Sequence, residues 1–171
     1  MLGRRMALTL LTAVLGNSAA LGAPAEPKSP VHVASNAIFY LCPQLVRSNL
    51  APPSDWVTPL GLQPNSSTDS AVYEFKATDP RGAMSVSFDT SARRCTLNYG
   101  GPGYEQIAGI IRDVVIRSKL VRITGGDKDG AKADVFEGPV PANPASIARF
   151  IIIENYSQPS AAISYTERAS K

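Results

Sequence analysis

The chain has 171 residues, 44% of them hydrophobic, with 17 Lys+Arg against 14 Asp+Glu, two cysteines and one histidine. That length and apolar content suit one globular domain able to bury a core without metals or many crosslinks. A net charge of only +3, with both signs interspersed, argues against binding nucleic acid through a basic surface.

Residues 1–23 have the order of a removable secretion signal. Arg4 and Arg5 supply the basic start, Ala7 to Leu15 the short apolar run, and mostly small residues follow to Ala23. The apolar run is shorter than the roughly 20 residues a membrane span needs. The expectation is export, cleavage after Ala23, and a secreted or periplasmic mature protein with no membrane span. Removing both leader arginines lowers the balance from +3 to +1, since no acidic residue lies in the leader. Residues 24–33 read as a proline-rich extended leader, and 34–171 as a single α+β domain.

Ile38, Leu41, Cys42 and Leu45 fall at helical spacing, which predicts a first helix over Ser35 to Asn49. Pro43 interrupts it, so irregularity is expected near Cys42. Leu50 to Ser70 reads as a long irregular connection holding the only tryptophan, Trp56. From Ala71 the pattern becomes alternation: Tyr73 and Phe75; then, after Asp79-Pro80-Arg81-Gly82, Met84, Val86 and Phe88; then Cys95, Leu97 and Tyr99. This predicts a three-stranded antiparallel meander with one buried face.

Gly100 to Gly103 ends the meander. Ile107, Ile110, Ile111, Val114 and Val115 then form one apolar stripe, predicting a second helix. Strands are expected again over Leu120–Thr124, Ala133–Glu137, Ala148–Tyr156 and Ala161–Glu167. A polar turn over Gly125–Lys132 and a proline-rich linker over Gly138–Pro144 separate them. Phe150 to Ile153 lacks alternation and predicts a strand covered on both faces. The resulting fold class is α+β, two helices packed on a mainly antiparallel sheet in the order α-βββ-α-ββββ.

Cys42 and Cys95 read as one structural disulfide, because a lone pair in an oxidising compartment usually couples. Cys95 belongs to the inward set of its strand, so the bridge would pin the first helix to the sheet. The spacing matches no zinc or CxxC motif. Asp127-Lys128-Asp129-Gly130 resembles part of a calcium loop but lacks its first and last acids. The only histidine, His32, lies beside the leader, and no GxSxG elbow is present. No catalytic, cofactor or metal residues are assigned.

These readings favour a non-catalytic exported protein that binds, inhibits or assists a protein partner of the cell envelope. Trp56 and Tyr104 are its candidate partner-binding residues, within a tyrosine set of Tyr40, Tyr73, Tyr99, Tyr104, Tyr156 and Tyr165. Two alternatives remain open. One is an exported hydrolase using paired carboxylates, drawn from Asp55, Asp69, Glu74 and Glu154. The other is a carrier holding a small apolar ligand between helices and sheet.

Overall fold

The computed structural model describes residues 28–65, 71–79, 82–140 and 143–170. The stretch 1–23 read as a secretion signal, most of the expected leader, Asp69 and the centre of the Asp79–Gly82 turn lie outside them.

Helix α1 (Pro30–Asn36) starts at Ser29, whose hydroxyl accepts the His32 backbone N–H. Pro30 follows as the first helical residue, where its missing N–H costs nothing. The helix then passes through a π-helical segment, Ala37–Leu41, into α2 (Cys42–Ser48). The cause is Pro43. It offers no N–H to the carbonyl of Phe39, and its ring crowds that carbonyl. The chain widens just before it, with Cys42 N–H bonding the carbonyl of Ala37, five residues back. Asn49, in the left-handed region, closes α2.

The described part of the Leu50–Ser70 connection, residues 50–65, is more ordered than its composition predicts. It holds a short helix α3 (Ser54–Val57), a 3-10 turn (Thr58–Leu60) and a strand β1 (Gln63–Asn65). The meander follows as β2 (Val72–Asp79), β3 (Gly82–Asp89) and β4 (Arg94–Gly100). Helix α4 (Tyr104–Arg117) leads to β5 (Val121–Lys128), β6 (Ala131–Val140), β7 (Asn143–Asn155) and β8 (Ser160–Ala169).

All pairings are antiparallel, in one sheet of order β1-β2-β3-β4-β8-β7-β6-β5. The sheet dominates the molecule, and the helices are more numerous and more irregular than the two expected. Two four-stranded meanders meet at the β4–β8 ladder, where Leu97 faces Ile163.

Cross-strand partners share a face, and the register places Cys95, Tyr165, Phe150 and Phe136 in one row and Leu97, Ile163, Ile152 and Asp134 in the next. This face is buried. Cys95 joins Cys42 of α2 with a Cα–Cα distance of 5.3 Å, and Asp134 pairs with Arg112 of α4. Both helices therefore cover the same face, and the bridge fastens the first of them to the sheet. The opposite face carries Ser85, Ser87, Thr96, Ser164 and Thr166, none of them fully buried.

Several expectations are corrected. The first helix begins at Pro30, inside the stretch 24–33 read as an extended leader, and Gly138–Pro144 is not a linker: β6 runs to Val140 and β7 starts at Asn143. Gly125–Lys132 is not a loop: β5 runs through Lys128, and only Asp129-Gly130 turns, both with positive φ (52° and 76°). That is the two-residue Asp-Gly hairpin geometry, which suits strands paired right up to the turn. The strand at Phe150 to Ile153 is interior but not covered on both faces. Phe150 and Ile152 are buried, whereas Ile153 is 39% exposed.

Candidate functional site

Helices α1 and α4 pack against each other, and each buries a small residue completely, Ala34 and Ala108. Both helices begin beside the end of β4: Ser29 and Pro30 line the same cleft as Pro102, Gly103 and Gln106. Further along, Gln44 and Arg47 share a groove with Val114 and Ser118. From the π-helical segment onward this groove of about 430 Å³ lies between the first helix and the C-terminal half of α4.

Its floor is aromatic. The rings of Phe39 and Phe150 lie 5.8 Å apart, and those of Phe150 and Tyr165 meet edge-on at 4.9 Å. Val114, Val115, Val140 and Ala148 complete the apolar lining, and Tyr40, Gln44, Arg47 and Ser118 reach the mouth. Tyr40 is 68% exposed. The widened turn sets Phe39 and Tyr40 here, and π-helical turns recur at functional sites.

The charged groups at the wall are paired. Arg47 Nε donates to Glu167 Oε1 at 2.8 Å, and the Tyr165 hydroxyl donates to the same carboxylate. Burial and that hydrogen bond push the Tyr165 phenol above its ordinary pKa. Burial opposes the charge on Arg47, but Glu167 outweighs it and holds the guanidinium above its usual value. With these groups paired, the groove offers a ligand apolar faces rather than free charges. Such a lining, with a few polar groups at the rim, suits an apolar or aromatic group.

A second feature lies on the outer flank of α4. Asp134 and Glu154, both nearly fully buried, converge on Arg112: Asp134 Oδ2 accepts from Arg112 Nε at 2.9 Å, and Glu154 Oε1 accepts from the other end of the guanidinium. Burial opposes the Arg112 charge, and the two carboxylates more than offset it. Arg122 closes the set at 2.6 Å from Asp134 Oδ1. A hollow of about 400 Å³ beside it is lined by Ile116, Leu120, Lys132 and Phe136 as well.

The predicted residues fall as follows. Cys42 and Cys95 form the disulfide. Trp56 is partly buried against the core on α3, and Tyr104 is 8% exposed at the start of α4, its hydroxyl donating to Glu105. Neither lines the groove. Of the tyrosines, Tyr40 and Tyr156 are exposed, and Tyr99 and Tyr165 are buried. Among the suggested acids, Glu154 is buried and salt-bridged, and Glu74 accepts from Asn65 Nδ2 at 2.5 Å. No group of three metal-ligating side chains occurs among the described residues, and no helix there is long and apolar enough to cross a membrane.

The sequence does not mark Phe39 or Gln44, and marks Phe150 only as part of a strand. The one signal available was Pro43 within a helical pattern, which marks where a helix must deform. No protein-family model matches the chain, and no curated protein or solved structure matches it.

Proposed function

We propose that the protein is an exported, non-catalytic binding protein of the cell envelope, and that the groove between α2 and α4 receives an apolar or aromatic group of its partner. The observation that carries this reading is the aromatic floor of Phe39, Phe150 and Tyr165 at a widened helical turn. A disulfide between Cys42 and Cys95 supports export, because such bonds persist mainly in oxidising compartments. The paired carboxylates Asp134 and Glu154 favour binding over hydrolysis: both are engaged by Arg112, whereas a general acid needs a proton to give.

The test is titration of the oxidised protein with an environment-sensitive apolar dye, alongside Val114→Trp, which fills the groove from α4. The reading expects saturable one-to-one binding that the substitution weakens at least tenfold. Equal binding by both proteins would move the site elsewhere.

A further inference from the structure

β5 is an outer strand of the sheet and is exposed along its whole length. The opposite edge differs: β1 has three residues, with Pro64 in the middle. A proline-bearing stub offers little to pair with, whereas an eight-residue edge presents a row of free backbone donors and acceptors. β5 also exposes Val121 and Ile123. The irregularity between Arg122 and Thr124 confines regular pairing to Thr124 through Lys128, whose midpoint is Gly126.

The charges along this edge are specifically placed. Gly125 stands opposite Asp134, and Asp127 opposite Lys132, so both lie on the helix-bearing face. The Arg122 guanidinium lies over Gly125, where a Cβ would be, while holding Asp134. Its side chain remains 52% exposed, which leaves N–H groups free toward solvent. Asp127 has no ion pair among the described residues.

We propose that the chain forms a two-fold dimer by antiparallel pairing of β5 with β5 of a second copy, centred on Gly126. This register sets Gly125 opposite Asp127 of the second copy, on the same face. The incoming carboxylate then meets the Arg122 guanidinium, and the symmetry makes the contact twice. A two-fold normal to the sheet must pass through a residue position. Centring it on Gly125 instead would set Asp127 against the bulged Ile123. The strand is thus self-complementary in one register. The inference is independent of the groove.

The experiment measures mass against concentration by sedimentation equilibrium on the oxidised protein, its Asp127→Lys variant and its Gly126→Cys variant. The expected result is a dimer whose dissociation constant rises roughly tenfold or more in Asp127→Lys, since both symmetric ion pairs become repulsions. Gly126→Cys should crosslink across the axis on mild oxidation, because directly opposed strand residues fall within disulfide reach. Asp127 is exposed, so thermal unfolding of that variant should fall only slightly below wild type when both are monomeric, the one cost being a lysine set opposite Lys132. A wild-type protein that stays monomeric at millimolar concentration would overturn the proposal. So would a dimer that Gly126→Cys fails to crosslink.

Discussion

Arg112 is the residue on which the α4 flank depends. It sits between two buried carboxylates, and removing it leaves Glu154 uncompensated and Asp134 with Arg122 alone. Arg112→Ala is expected to cost about 3 kcal/mol or more, read as a lower urea midpoint with an unchanged slope. Gly125 belongs to the same cluster: a Cβ there would lie 2.6 Å from Asp134 Oδ1 and would overlap the Arg122 guanidinium. Gly125→Ala should therefore destabilise by about 2 kcal/mol as an overpacking substitution, whereas Gly126→Ala, with open space around it, should be tolerated. Tyr165 sets a limit at alkaline pH. Its folded pKa lies above the unfolded value of about 10, so its neutral form is favoured by the fold. That contribution is complete below about pH 10 and is lost as pH rises through the elevated folded value. Wild type should lose stability progressively above about pH 10, and Tyr165→Phe should flatten that slope. An identical slope in the two proteins would place the alkaline transition elsewhere.

At the level of elements, Pro43 connects helix geometry to the groove. Pro43→Ala restores an N–H for the carbonyl of Phe39 and lets the first helix close without the wider turn. Helical content and melting temperature should rise while dye affinity falls, because Phe39 and Tyr40 are re-aimed. Unchanged affinity would show that the turn does not shape the site. The same elements show what the sequence made legible. The meander and α4 were readable because one face of each is buried, so Met84, Val86 and Phe88, or Ile107 and Ile111, repeat at the period of their element. β5 was not readable beyond Thr124: an exposed edge strand carries no apolar alternation, and its glycines and aspartates resemble a loop. The Asp129-Gly130 pair marked the real turn, and reading it as a two-residue hairpin would have extended both strands. The groove was invisible because it joins residues from α2, α4, β6, β7 and β8, which only the register brings together.

Across the whole molecule, the Cys42–Cys95 bridge spans 53 residues and fixes one wall of the groove to the sheet. Replacing both cysteines with serine should lower stability by roughly 4 kcal/mol through the freed unfolded chain. The double variant should also bind the apolar dye more weakly, since α2 would be held by packing, by the Arg47–Glu167 pair and by Arg93, which donates to the carbonyl of Val46 at 2.9 Å, with no covalent tie. The most direct test of the account is a map of backbone amide shifts as an apolar dye is titrated into the isotopically labelled, oxidised protein. The account predicts saturating changes centred on Phe39, Tyr40, Val114, Val140 and Phe150. Changes confined to the cleft around Ser29 and Gln106, or none at saturating dye, would contradict it.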